Sequence, residues 1–200
     1  KEKLQEQLGL PVNRNTPMLA MVSRLVENKG IELIIRILDE LLTHEDCQFV
    51  ILGTGDKGYE DWFRELQWRF PTKVSVNIYF SNDLAQKIYG SADFFLMPSI
   101  FEPCGIGQMI ALRYGTVPIV RETGGLKDTV RQFNKYDNTG NGYTFANINA
   151  HDLMYCIKRA LAEYDNIQIW NMLQHNAIRS NFDWKKSASE YIDMYKQLLA

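Results

Sequence analysis

The chain has 200 residues, of which 46% are hydrophobic and 23% are charged, and its formal net charge is −2. This length and composition predict one folded domain with a sizeable core. The small negative charge argues against a nucleic-acid or membrane partner, since both usually require a basic surface, and no apolar run approaches the roughly 18 residues of a membrane span.

Short apolar runs alternate with amphipathic stretches through the first three quarters of the chain. The apolar runs predict strands, and the stretches between them predict helices. In chain order the predicted elements are strand 17–23, helix 30–42, strand 47–53, helix 59–70, strand 73–80, helix 82–92, strand 93–98, helix 106–115, strand 116–120, helix 125–133 and strand 141–145. Asn82 is a candidate helix cap, and Gly115 is positioned to end a helix. The alternation predicts an α/β fold, with a Rossmann-like parallel sheet of about six strands and helices on both faces.

The two ends of the chain have helical patterns only. The opening KEKLQEQLGL has the pattern of a polar helix and not that of a signal peptide. After residue 150 the patterns predict helices at 150–164, 167–180 and 184–199, with recurring aromatic residues. These aromatics favour packing against the sheet, and the alternative is that part of the tail packs on a segment outside this chain. We therefore expect residues 1–200 to form one domain with 150–200 as its helical tail.

The cysteines and histidines predict neither disulfides nor a metal. Cys47, Cys104 and Cys156 are far apart and odd in number, which does not suit a disulfide framework and favours a cytoplasmic location. The three histidines have no metal-ligand spacing, and no Asp-x-Asp motif is present. We expect no metal and no other cofactor.

The turns that follow the strands carry the chemistry. Parallel strands end at one edge of a sheet, and ligands bind at that edge in open α/β sheets. The turns there contain SRLVENKG with Arg24 and Lys29, then GTGDKG, PSIFEPCG and RETGG. Each feature alone has an ordinary structural explanation: Arg24 and Lys29 as solvated charges, Phe80 as core, Cys104 as an inert apolar group. Their placement on a single edge favours a binding site.

The residue types suit a diphosphate. The CGIG stretch opens a helix, where free backbone N–H groups and the helix dipole favour an anion, and Gly105 and Gly107 permit close approach. Arg24 can bind phosphate oxygens as a fork, and Lys29 adds a point charge. Such a set can stabilise a diphosphate leaving group.

Four stretches, namely SRLVENKG, ILGTGD, PSIFEPCGIGQMIALRYGTVPIVRETGGLKDTV and NFDWKKSASEYIDMYKQL, resemble the C-terminal domain of bacterial glycogen synthases and plant starch synthases. The resemblance covers essentially the whole chain. It implies a type B glycosyltransferase architecture, in which two Rossmann-like domains face each other across a cleft. It also implies a retaining transferase that extends α-1,4-glucan from ADP-glucose. The acceptor-side N-terminal domain is expected to be absent from this chain, and the choice between ADP and UDP stays open.

The resemblance also implies roles for individual residues. Arg24 and Lys29 would hold the donor phosphates and Glu102 would contact the donor sugar, which makes these three the expected catalytic set. The remaining donor-binding residues would be Phe80 beside the base, Cys104 in the pocket, the backbone at Gly105, Ile106 and Gly107, and the next loop at Thr123, Gly124 and Gly125.

Three positions depart from the related pattern. Gly107 stands where the family usually has threonine, and Glu122 places a carboxylate near the expected phosphates. Ile110 stands where a wider transferase group has a second glutamate, which favours the glycogen synthase group. The alternatives are a non-catalytic module that binds a nucleotide or glucan, and a phosphorylase-like or epimerase relative, for which the required residues are not found.

Overall fold

The computed structural model describes residues 1–199, apart from the side chain of Lys186. Within these residues the strands form one six-stranded sheet, in which all pairs are parallel, in the order β3-β2-β1-β4-β5-β6. The strands are β1 (Met18–Val22), β2 (Gln48–Leu52), β3 (Val74–Asn77), β4 (Phe94–Met97), β5 (Val117–Arg121) and β6 (Tyr143–Phe145). The predicted α/β class and the parallel six-stranded sheet are confirmed.

The helices of the described residues connect the strands and form both ends of the chain. They are α1 (Glu2–Gln7), α2 (Ile31–His44), α3 (Lys57–Arg69), α4 (Asn82–Tyr89), α5 (Gly107–Tyr114), α6 (Gly124–Thr129), α7 (Ala150–Tyr164), α8 (Ile167–Arg179) and α9 (Trp184–Leu198). A short 3-10 turn, Glu27–Lys29, precedes α2. None of these helices is long and apolar enough to cross a membrane.

Helices cover both faces of the sheet because the side chains of a strand alternate between its two faces. Leu19 and Met21 of β1 belong to the larger buried cluster, which α2, α7 and α8 complete. Their neighbours Met18 and Ala20 belong to a second cluster, which α1 and α4 complete. Strand β1 is therefore apolar on both faces, as a central parallel strand must be.

Several helix ends differ from the predicted ones by one to four residues, and two of these differences have a clear cause in the backbone conformation. Asn82 is wrong as the cap of α4: the preceding residue, Ser81, is extended, and its Oγ accepts the Leu84 N–H at 3.1 Å. The predicted helix 125–133 is shorter, since α6 ends at Thr129 and Val130 is already extended. Gly115 does end α5 as predicted, with φ of 81°.

The helical tail has two parts with different surroundings. In α8 the Trp170 ring lies 5.1 Å from the Phe94 ring and 4.8 Å from the Tyr164 ring, so α7 and α8 pack on the sheet as predicted. In α9 the side chains of Tyr191, Ile192 and Tyr195 are 52–57% exposed. The apolar face of α9 is thus uncovered by the described part of the chain, which is typical of a surface that contacts another segment.

Candidate functional site

The site lies where the strand order reverses. The chain runs outward from β1 to β2 and β3, then crosses to β4 on the other side of β1. In open α/β sheets the crevice outside the carboxyl ends of the two strands at such a point binds ligands. Here the residues after β1 are the turn 23–29, and those after β4 are the loop 98–102. The Ile100 N–H donates to the Asn28 carbonyl at 2.9 Å, which joins the two loops.

Gly30 allows the two loops to approach this closely. Its φ is 73°, in the left-handed region, and a Cβ at this position would lie 2.0 Å from the Pro98 carbonyl oxygen. Any other residue would therefore push the loop after β4 away from the turn after β1.

Lys29 and Glu102 form an ion pair in the crevice. Lys29 Nζ lies 2.5 Å from Glu102 Oε2, and Ser99 Oγ donates to the same oxygen at 3.2 Å. The two charged side chains are only 19% and 11% exposed. Solvent screens a pair at this depth less than a surface pair. Two of the three residues predicted to be catalytic thus contact each other directly, a contact that was not predicted from the sequence.

Arg24 is exposed on the turn after β1, and no described residue forms an ion pair with it. Its turn is held rigidly, because the Leu25 N–H donates to the Thr54 carbonyl at 2.9 Å and the Asp56 N–H donates to the Leu25 carbonyl at 2.8 Å. A Cβ on Gly55 would lie 2.1 Å from the Leu25 oxygen. The glycine-rich turn after β2 therefore serves to hold the backbone of the Arg24 turn.

The first turn of α5 faces the same edge. No side chain caps this helix at Ile106, so its first N–H groups are free to bind an anion. Gly105 precedes it with φ of 74°. The buried Gln108 side chain shapes the turn, since its Nε2 donates to the Cys104 carbonyl at 3.2 Å and to the Gly105 carbonyl at 3.0 Å. Gln108 lies in a stretch that carries the family resemblance, but no role was predicted for it from the sequence.

The glycine pair that begins α6 packs against the loop that carries Glu102. A Cβ atom on Gly124 would lie 2.2 Å from the backbone carbonyl oxygen of Glu102. A Cβ atom on Gly125 would lie 2.0 Å from the backbone carbonyl oxygen of Cys104. The Gly125 N–H donates to the Glu102 and Pro103 carbonyls at 3.2 Å each. A side chain at either glycine would therefore clash with this loop. Thr123, which precedes them, makes no side-chain hydrogen bond that caps α6.

Phe80 and Glu122 have surroundings that their sequence contexts did not predict. Phe80 is 85% exposed, so the interpretation of Phe80 as a core residue is wrong. It follows β3, and β2 lies between β3 and the crevice at β1 and β4. The Glu122 carboxylate accepts the Thr144 hydroxyl at 2.7 Å. Because this hydrogen bond directs the carboxylate toward β6, it repels an anion at the site less than its sequence position suggests.

Two of the cysteines are buried and one is accessible at the site. Burial raises the pKa of the Cys47 thiol to about 12 and that of the Cys156 thiol to about 11, so both stay protonated at neutral pH. Cys104 is exposed, and all three are free thiols. Only Cys104 has a place at the carboxyl edge.

Two of the larger cavities lie outside the crevice between the turn 23–29 and the loop 98–102. One of 690 Å³ lies at the amino-terminal ends of the strands, where Lys1 is paired with the Asp93 carboxylate at 2.5 Å. The other, of 790 Å³, lies between α5 and residues 178–183, with Ile106 on its rim. Neither is lined by Arg24, Lys29 or Glu102. The clustering of charge at the switch point therefore indicates the site better than cavity volume does. In residues 1–199 no group of three or more histidine, cysteine or acidic side chains is arranged to hold a metal.

Comparison with known proteins shows the family. Residues 1–178 match the family model described as glycosyl transferases group 1. This chain belongs to that family.

Within this family, the chain is similar in sequence to bacterial glycogen synthases. Over 199 residues this glycosyltransferase chain is 55% identical to the glycogen synthase of Finegoldia magna, and over 199 residues it is 53% identical to that of Clostridium novyi. All of the chain is matched in both cases, but only 42% and 41% of those proteins. The chain thus spans about two fifths of the length of these relatives.

Solved structures of glycosyltransferases share the fold of this chain. It is similar to the catalytic domain of Arabidopsis thaliana starch synthase IV bound to ADP and acarbose, with 32% identity and a TM-score of 0.86, over 98% of this chain and 41% of that one. The C-terminal domain of a group 1 glycosyltransferase from Francisella tularensis matches in fold alone, with a TM-score of 0.67 at 15% identity, over 88% of each chain. The chain is a Rossmann-like C-terminal domain of the type B glycosyltransferase architecture.

Proposed function

We propose that this chain is the donor-binding domain of a retaining glucosyltransferase that extends α-1,4-glucan from ADP-glucose. The observation that carries the proposal is the Lys29–Glu102 pair at the switch point, beside the uncapped first turn of α5. The 55% identity to a glycogen synthase and the ADP bound to the similar starch synthase support the choice of donor. The rest of the enzyme would be supplied by a longer protein that contains this chain, called the full-length protein below.

Two cationic side chains and the N-terminus of one helix would bind the donor diphosphate. The Arg24 guanidinium, which has no ion-pair partner among the described residues, can bind two phosphate oxygens as a fork. The Lys29 ammonium lies in the crevice, and the N-terminus of α5 offers backbone N–H groups. These groups supply positive charge for the leaving diphosphate, and no metal or other cofactor is part of the proposal.

Glu102 would act on the donor sugar. Phosphate oxygens that approach Lys29 compete with the Glu102 carboxylate for the ammonium, so donor binding shares or breaks the ion pair. A carboxylate beside the glucosyl group stabilises the positive charge that develops there as the diphosphate leaves. The pair therefore links phosphate binding to the placement of the catalytic carboxylate.

The remaining contacts complete the proposed site. Phe80 would lie beside the base, and Cys104 would line the pocket. The backbone amides near Ile106 and Gly107 would bind the distal phosphate, and the turn 123–125 would approach the phosphates or sugar. The α-1,4-glucan acceptor would bind mainly to the other domain of the full-length protein. We propose a cytoplasmic enzyme, in keeping with its three free thiols.

Arg24→Ala and Lys29→Ala are each expected to weaken ADP binding by about 1–3 kcal/mol, which is the usual scale for a charge-assisted hydrogen bond. Calorimetric titration of ADP into the parent chain and each variant measures the change. Arg36→Ala, which removes an exposed arginine from α2, is the control and is expected to leave the affinity unchanged. Affinities equal to the parent's in both site variants would contradict the proposed phosphate site.

A further inference from the structure

Arg121, the last residue of β5, contacts backbone on two neighbouring loops. Its Nε donates to the Ser99 carbonyl at 2.8 Å, and its two terminal nitrogens donate to the carbonyls of Ile100 and Ala146. Ser99 and Ile100 belong to the loop between β4 and Glu102, and Ala146 follows β6. One guanidinium thus joins the ends of three adjacent strands.

The Arg121 cation has no carboxylate partner among the described residues. The adjacent Glu122 accepts from Thr144 instead, at 2.7 Å. Hydrogen bonds from a charged donor are stronger than neutral ones, and the planar fork of arginine fixes their directions. All three hydrogen bonds that Arg121 donates therefore go to backbone carbonyls of these loops.

A single buried residue connects Arg121 to Glu102. Ser99 is 2% exposed; its carbonyl accepts from Arg121, and its hydroxyl donates to Glu102 Oε2 at 3.2 Å. The next residue, Ile100, accepts from Arg121 through its carbonyl and donates its N–H to Asn28, the neighbour of Lys29. The loop 98–102 has no regular secondary structure of its own to hold it in place.

We propose that Arg121 is a positioning residue, which holds the loop 99–102 so that Glu102 meets the donor sugar. It acts through Ser99 and Ile100 and does not bind the donor. This inference rests on the proposed function and adds to it a residue to which the family resemblance gave no role. The rate of a reaction falls steeply when a catalytic group is displaced from its position beside the reacting atoms. A small displacement of Glu102 therefore lowers turnover without weakening the binding of the nucleotide.

Arg121→Met in the full-length protein is expected to lower kcat by about tenfold or more while the ADP dissociation constant changes by less than about threefold. Arg121→Lys keeps the positive charge but loses the planar guanidinium, and it is expected to give an intermediate kcat. This variant tests the proposal if Arg121→Met does not fold. The control is Arg159→Met, which removes another partly buried guanidinium, whose hydrogen bond goes to Gln132 at 2.6 Å and not to the loop 98–102. We expect it to lower the melting temperature but to leave kcat unchanged. A kcat for Arg121→Met equal to that of the control would overturn the proposal, as would equal losses of kcat and ADP affinity.

Amide hydrogen exchange on the 200-residue chain provides a readout that does not depend on activity. Arg121→Met is expected to speed exchange at the Ile100 and Gly125 amides, which bond within this loop network, whereas Arg159→Met is expected to leave both unchanged. If the unsubstituted full-length protein fails to elongate glucan, the proposed function is lost but the exchange result still decides whether Arg121 holds the loop. Unchanged exchange at both amides overturns the positioning role even where activity falls.

Discussion

Glu102→Gln in the full-length protein is expected to lower kcat by about 100- to 1000-fold, the scale for removing one preorganised electrostatic group at a reacting centre. The affinity for ADP is expected to be kept or increased. Glutamine retains the shape and an acceptor oxygen but loses the charge, so it no longer stabilises the developing charge on the sugar. It also releases Lys29 from the ion pair that spans 2.5 Å in the structure, which leaves the ammonium available to the phosphates.

Steady-state kinetics and ADP calorimetry on the same preparations separate the two effects. Glu122→Gln is the matched control, because it neutralises a carboxylate at the same edge that is bonded to Thr144 rather than to Lys29. It is expected to change kcat only slightly. Parallel losses of ADP affinity and turnover in Glu102→Gln would show that Glu102 acts on the phosphate side or in folding.

The 200-residue chain alone is expected to show no elongation of α-1,4-glucan, even at saturating ADP-glucose. It spans only about two fifths of the length of the related glycogen synthases, and in the proposed mechanism the acceptor is held mainly by the other domain. Closure of two domains aligns the substrates and excludes water, which one domain alone does not provide. Incorporation of labelled glucose into glycogen measures the activity.

The full-length protein, assayed in parallel, is the positive control and is expected to elongate the glucan. Measurable elongation by the isolated chain would contradict its assignment as half of an enzyme. A full-length protein that binds ADP-glucose but transfers no glucose would instead support the alternative of a non-catalytic binding module.

Much of the fold was predictable because its signals are local. The run MLAMV of β1 is buried along most of its length, as a central parallel strand requires, and Gly115 ends α5 with the positive φ that glycine favours. The cap of α4 was misplaced by one residue because Ser81 and Asn82 are both good capping residues and only the backbone conformation distinguishes them.

The contacts within the site were less predictable because they join residues far apart in the chain. Lys29 and Glu102 are 73 positions apart, and they meet only because β1 and β4 are neighbours in the sheet. The contacts of Arg121 are to backbone carbonyls, which carry no residue-specific signal. For Phe80, the same aromatic residue fits a core or a surface, and only the structure shows that it is exposed.

The most direct test of the central claim is to map ADP binding on the 200-residue chain by the NMR shifts of its backbone amides. The account predicts that the largest shifts occur at Gly105, Gly107, Gly124 and Gly125, which lie at the carboxyl edge. It predicts no change at Gly90 and Gly115, which line the cavity at the opposite edge. Shifts confined to Gly90 and Gly115, or none at saturating ADP, would contradict the assignment of a donor site to the switch point of the sheet.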